Sequence, residues 1–290
     1  MATNTPFGQR LGLVLEGGAM RGNYTAGVLD VFLEAGIMPD VVVGVSAGAL
    51  HGCSYVAGQK GRSIRYYRKY RSDKHFMGLY SLLTTGDVVG TKFCYEDIPL
   101  RLDPFNEAAF EKAPVDFYVT VTNVRTGKPE YILCDELKVG SKMDVIRAGA
   151  SMPLCSKMVE WNGNLYLDGG VSDSIPYAKM KVFGCRKSIV ALTQPAGYLK
   201  QPAAMAPFEA MYRKYPAFVE AMRGRDQMYN TEVCAVEQAA KQGDVFLIRP
   251  SKLLHVGRME HDIEVLNAQY ELGRQDARNQ MDAMRERIER

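Results

Sequence analysis

A serine with glycines two positions away on either side, Gly44-Val45-Ser46-Ala47-Gly48, is the first candidate for nucleophilic chemistry in this chain. In a G-x-S-x-G segment the serine occupies a sharp turn from strand to helix, so its hydroxyl stands above the sheet, and larger neighbours would collide at the turn. A serine nucleophile also needs a base. Asp168, in Asp168-Gly169-Gly170, is one candidate, and the four histidines His51, His75, His255 and His261 are the others. Ser46, Asp168 and then His255 or His261 would satisfy the chain order of an ordinary α/β-hydrolase triad. Against it, Ser46 falls early for that fold, and both late histidines sit among charged residues typical of a solvated surface. At this level the triad stays open beside a two-residue arrangement.

A second glycine-rich turn, Gly17-Gly18-Ala19-Met20-Arg21-Gly22, precedes a helical pattern and can present backbone N–H groups to an anion. It is not a Walker loop, because Asn23 stands where the lysine is required. It fits a dinucleotide fingerprint poorly, being G-G-x-x-x-G rather than G-x-G-x-x-G. As an oxyanion hole it would offer Gly17, Gly18 and Ala19, each donor being worth about 3 kcal/mol at the transition state.

These turns need elements to hold them. Leu11 to Leu15 is a short apolar run, and Tyr24, Val28, Val31 and Phe32 then recur at helical spacing up to Gly36. Val41 to Val45 has no polar alternation, as in a strand buried on both faces, and Ala47, Leu50, Cys53 and Ala57 give the next helix a small-residue face. Two strand-turn-helix units in succession predict an α/β fold with a parallel sheet. Val115 to Thr122, Glu130 to Leu133, Ile189 to Leu192 and Val245 to Arg249 read as further strands. Asn162-Gly163 marks a hairpin whose second strand delivers Asp168, and Ile263 to Arg290 reads as one long charged helix.

With 290 residues, 47% apolar and 24% charged, the chain has the composition of an ordinary soluble globular protein, and a net charge of +3 gives no global reason to expect nucleic acid. Cys53, Cys94, Cys134, Cys155, Cys185 and Cys234 form no C-x-x-C pair, so neither a zinc site nor a disulfide framework is expected. Met1 to Arg10 lacks a signal-peptide core and no apolar stretch is long enough for a membrane span, which together read as cytoplasmic. Arg62, Arg65, Arg68, Lys69, Arg71 and Lys74, interleaved with Tyr66, Tyr67 and Tyr70, suit anionic lipid headgroups or nucleic acid or, more plainly, a solvated helix with its tyrosines facing the core. Met205, Phe208, Met211, Tyr212, Tyr215, Phe218 and Met222 suit an acyl pocket or lid, or simple core packing.

Glu16 to Gly22, Gly44 to Gly48 and Asp168 to Gly170 together resemble the three signatures of patatin-like phospholipases, in the family's order, over about residues 11 to 195. Arg21 before Gly22 is similar to the bacterial single-domain members, and Arg147 to Pro153 looks like the family's small-residue segment. The resemblance implies a three-layer sandwich with a central, mostly parallel sheet flanked by helices. It implies a dyad of Ser46 and Asp168 without histidine, an oxyanion hole at Gly17, Gly18 and Ala19, and motif support from Arg21, Gly22, Gly44, Gly48, Gly169 and Gly170. It also implies no metal or cofactor, and hydrolysis of acyl esters of phospholipids or related lipids. Ala19 replaces the usual third glycine; alanine keeps the donor but resists positive φ. Residues 1–200 are expected to form the catalytic core, and 201–290 a helical extension with one added strand packed on it. The expected partners are a lipid or acyl-ester substrate and, at its periphery, an anionic membrane, with no nucleic acid; nothing in the sequence speaks to oligomeric state. A triad esterase and a non-enzymatic lipid- or partner-binding protein on the same scaffold are the competing readings.

Overall fold

The computed structural model describes residues 6–289. Residues 1–5, which belong to the Met1 to Arg10 segment, and residue 290, the end of the expected C-terminal helix, lie outside the described residues. The strands are β1 (Arg10–Leu15), β2 (Val41–Val45), β3 (Asp116–Asn123), β4 (Pro129–Leu133), β5 (Val159–Trp161), β6 (Asn164–Asp168), β7 (Cys185–Ala191) and β8 (Val245–Ile248). They form one sheet in the order β5-β6-β3-β2-β1-β7-β8, with β4 also paired to β3. The β3-β2-β1-β7-β8 stretch is parallel, while β4, β5 and β6 join antiparallel.

The apolar strands are buried on both faces because helices cover both. Leu13, Leu15, Val42, Phe117 and Val119 pack toward α1 (Asn23–Glu34) and α2 (Ala47–Val56), through residues such as Val28, Phe32 and Cys53. On the opposite face Val14, Val41, Val43 and Val190 meet Met180, Tyr229 and Val236, from the helices Tyr177–Val182 and Arg225–Gln242. This is the expected α/β three-layer arrangement with a mostly parallel central sheet. No helix among the described residues is long and apolar enough to cross a membrane.

The inward-facing tyrosines of the basic segment and the core packing of the Met- and aromatic-rich segment follow the plainer sequence readings, whereas the C-terminal helix and two buried arginines depart from expectation. The C-terminal helix is two helices, Ile263–Asn279 and Met281–Glu289. They break at Gln280, whose side-chain amide turns back to donate to the Asp276 carbonyl, and Met284 in the second helix lies in the core. The basic, tyrosine-rich segment forms α3 (Arg62–Tyr70), with Tyr66, Tyr67 and Tyr70 facing inward. Arg62 and Arg71 are buried with them, their guanidinium groups donating to the carbonyls of Asp103, Met259 and Glu260. Tyr212, Phe218 and Met222 pack beneath Val124, Leu167 and Val171, so much of the Met- and aromatic-rich segment is core.

The Ile263–Asn279 helix crosses α1 at backbone contact. A Cβ on Gly27 would lie 2.0 Å from the Tyr270 carbonyl oxygen, and one on Gly273 would lie 2.0 Å from that of Tyr24. Tyr24 donates to Asp276 at 3.1 Å and Tyr270 to Asp30 at 2.6 Å, so each helix fastens the other beside the crossing. Because the obstacle is backbone, no rotamer change can relieve it. Gly273→Leu is therefore expected to lower stability by about 3 kcal/mol in chemical denaturation; an unchanged midpoint would show that the two helices part freely.

Candidate active site

The meeting of Ser46 and Asp168 follows from strand register. Val121 and Thr122 pair with β4 along one edge of β3 and with β6 along the other, while β2 leaves that second edge at Thr120, the partner of Val45. β6 therefore takes up the edge of β3 where β2 ends. Asp168, opposite Val121, arrives at the position that Ser46 would take if β2 continued. Both residues are buried, and Ser46 is close enough to the Asp168 carboxyl to oppose the rise that burial imposes on it.

Ser46 stands at φ 53°, ψ −122°, a conformation costly for a residue with a Cβ, at the junction of β2 and α2. The flanking glycines permit it. A Cβ on Gly44 would come 2.4 Å from the Ala49 Cα, and one on Gly48 would come 2.3 Å from the Leu15 carbonyl oxygen. Asp168 is fixed by its backbone N–H to the Ser151 carbonyl (2.9 Å), by Thr122 Oγ1 donating to its carbonyl (2.8 Å), and by the Gly170 N–H donating to Oδ1 (2.8 Å). Burial pushes its carboxyl above the ordinary aspartate value; the Ser46 hydrogen bond, the Arg225 charge and the Gly170 N–H oppose that rise.

The glycine-rich turn lies on the other side of the serine. A Cβ on Gly17 would meet the Ser46 Cβ at 2.8 Å. Glu16, buried at the end of β1, accepts from the Thr193 N–H at 2.5 Å and anchors the turn to the strand next door. Desolvation raises the Glu16 carboxyl; the Thr193 and Tyr229 hydrogen bonds and the nearby Lys200 and Arg21 charges oppose the rise. Ala19 adopts φ 49°, the positive φ that alanine resists, so the turn holds a strained residue where a glycine would be relaxed.

Two cavities meet at Ser46. One, of about 110 Å³, is apolar and lined by residues including Met20, Leu50, Tyr67, Ile98, Met143 and Ile146. The other, of about 150 Å³, is the more polar of the two: Glu16, Arg21, Asp168, Lys200, Arg225 and Arg258 line it beside apolar residues such as Met152, Phe208 and Met222. Sequence reasoning missed Lys200, Arg225 and Arg258 as site residues, since each comes from a different segment and none lies in a motif; the only local signal was Arg21 and Glu16 inside the first one. His255 and His261 are exposed, and among the described residues no histidine hydrogen-bonds to Ser46 or Asp168. His51 lies buried beside the site, where desolvation lowers its pKa to about 4 and keeps the ring neutral.

The family model described as patatin-like phospholipase matches residues 13–180. The chain belongs to the patatin-like phospholipase family. The family places it among hydrolases of lipid esters. A second model, for a domain of unknown function (DUF6363), matches residues 215–289. The uncharacterized protein YjjU of Escherichia coli (strain K12) is 28% identical over 276 residues, covering 91% of this chain and 75% of YjjU. Lysophospholipase NTE1 of Saccharomyces cerevisiae is 30% identical over 185 residues, covering 62% of this chain and 10% of that protein. Lysophospholipase nte1 of Aspergillus terreus is 29% identical over 182 residues, so this chain spans only about a tenth of the lysophospholipases it matches. Among solved structures, VipD from Legionella pneumophila aligns with a TM-score of 0.48 at 13% identity, over 96% of this chain and 67% of VipD.

The turn after Asp168 is tied to the Arg225–Gln242 helix by a pair of carboxyls. Glu232 Oε2 accepts from the N–H groups of Ser174 (3.1 Å) and Ile175 (3.0 Å), and Tyr131 donates to Asp173. Burial raises both carboxyls, and the Asp173 charge raises Glu232 further. A carboxyl with a folded pKa above its unfolded value binds more protons when folded, so its stabilisation is full below the unfolded value and is lost as pH rises toward the folded one. Stability should thus fall from mildly acidic to mildly alkaline pH, and Glu232→Gln should flatten the slope while keeping an acceptor for the two N–H groups. Urea titrations of both proteins at the two pH values check this; equal slopes would mean that Glu232 carries no proton in the fold.

Proposed function

We propose that this protein is a serine acyl hydrolase of lipid esters in which Ser46 is the nucleophile, Asp168 the general base, and the N–H groups of Gly17, Gly18 and Ala19 the oxyanion hole. The observation that carries this reading is the delivery of Asp168, by β6, to the strand end from which Ser46 projects. Among the described residues the N–H groups of Gly17 and Gly18 meet no protein acceptor, so they remain available to an oxyanion. In the first half-reaction Ser46 Oγ bonds to the acyl carbon, its proton passes to Asp168, and the alcohol leaves with that proton as the ester bond breaks. Water then gives a proton to Asp168 and its oxygen to the acyl carbon, and Ser46 recovers the proton as the fatty acid departs.

The apolar cavity suits the acyl chain. Met77 and Val89 on its wall form an isolated β-bridge, and the chain between them carries α4 (Leu79–Thr85). Leu79 and Leu83 on α4 are 69% and 76% exposed, which places apolar side chains where a lipid surface would deliver substrate to the cavity. Contact with a membrane at this rim belongs to the same proposal. The exposed histidines give no support to a triad.

An alkyl fluorophosphonate should label Ser46, as read by intact mass, and Ser46→Ala should abolish both labelling and hydrolysis of a medium-chain p-nitrophenyl ester. Asp168→Asn should lower kcat by at least about a thousandfold, the scale of losing a base that acts in concert with its nucleophile. Only the carboxylate form of Asp168 can accept the serine proton, and burial raises its pKa. kcat/KM should therefore climb with pH through a midpoint above the ordinary aspartate value of 3.8 and then level off. An unlabelled, inactive wild type would sink the reading.

A further inference from the structure

The polar cavity concentrates positive charge that the hydrolytic steps above do not use. Arg21 comes from the glycine-rich turn, Lys200 from the segment after β7, Arg225 from the start of the Arg225–Gln242 helix, and Arg258 from the loop before the Ile263–Asn279 helix. Among the described residues none of the four takes part in an ion pair. Arg225 spends its Nε on the Gly170 carbonyl (2.6 Å), and no hydrogen bond occupies its two terminal nitrogens. Arg21 Nε is buried without a hydrogen-bond partner, and the Lys200 Nζ rests 4.1 Å from the centre of the Tyr229 ring. Desolvation and then repulsion by Arg225 depress Lys200 to about 8, and Arg225 is lowered mainly by burial, with Arg258 and Arg21 adding to it. Held this close, these cations repel one another.

Four cations face the two carboxylates of Glu16 and Asp168 across this cavity, an excess of two positive charges. A dianion with several acceptor oxygens matches that excess, and guanidinium forks suit phosphate oxygens. The space is roughly ten times what one water requires. We infer that this cavity binds a phosphomonoester group, borne on the same glycerol as the acyl ester that Ser46 attacks. The inference rests on the hydrolase reading and sharpens its substrate to acylated glycerol phosphates. A choline headgroup would bring a further cation among four, and an uncharged glycerol would leave the cations unmatched. Arg225 and Arg258 lie within the 215–289 segment, so the C-terminal third contributes substrate selection.

The test compares kcat/KM for oleoyl glycerol phosphate, oleoyl glycerophosphocholine and monooleoylglycerol in wild type, Lys200→Gln, Arg258→Ala and Arg258→Lys. Arg258 is exposed, so its variants should fold even if Lys200→Gln does not. Wild type should favour the phosphomonoester over monooleoylglycerol by at least about tenfold. Lys200→Gln and Arg258→Ala should each reduce that ratio by about tenfold, through KM, and Arg258→Lys should recover part of it. A labelled, active enzyme with no preference, or with a preference that the variants leave unmoved, overturns this inference and leaves the hydrolase reading standing. Inorganic phosphate that binds in calorimetry without any such preference would mark a site for free anion and overturn the headgroup assignment. Absence of both labelling and hydrolysis would remove the hydrolase reading and this inference together.

Discussion

The edge of β3 carries two strands in succession, and most of the site depends on that sharing. β2 pairs up to Thr120, and β6 takes over from Val121 running the opposite way. The ends of β2 and β6 consequently face each other at one point, one turning into α2 and the other into the Gly169–Val171 turn. Sheet hydrogen bonds fix this approach, so the Ser46 and Asp168 side chains need no flexible loop to find one another. The strain at Ser46 is tolerable because the strands and α2 around it are fully packed.

Burial of charge is the second constraint. Glu16 and Asp168 sit in the interior, where an isolated carboxylate would be expensive, and backbone N–H groups together with the nearby cations offset part of that cost. The cations themselves are held by segments distant in sequence. Tyr229 shows the economy of the arrangement, since it packs in the core under β1 and β7, helps hold down the Glu16 carboxyl's pKa and offers its ring face to Lys200.

The parts legible in the sequence were those governed by local rules. The valine run of β2, the glycines around Ser46 and the Asn162-Gly163 turn each dictate their geometry within a few residues, and Asn162 and Gly163 do adopt positive φ as that hairpin requires. The order of the motifs was enough to anticipate the family. Long-range convergence was not legible: Lys200, Arg225 and Arg258 carry no periodicity or spacing that announces a shared cavity, because tertiary packing alone brings them together. The break at Gln280 was hidden because the charged pattern runs through it without Gly or Pro. The basic residues beside the core-facing tyrosines read as a solvated face, yet Arg62 and Arg71 are buried because backbone carbonyls accept their donors. The helix Phe93–Leu102, with wide π-type turns and Pro99 inside it, likewise left no reliable trace in the sequence.

Ser46 stands in the wall between an apolar and a polar cavity, and under the proposed chemistry that placement sets a kinetic order. Once the serine is acylated, the hydrocarbon tail remains lodged on one side while the freed alcohol withdraws on the other. The vacated polar chamber is then the doorway for the incoming water. On that proposal, any small hydroxyl compound that fits there would compete with water for the acyl group, so an architecture that cleaves an ester would also admit its exchange onto a new alcohol.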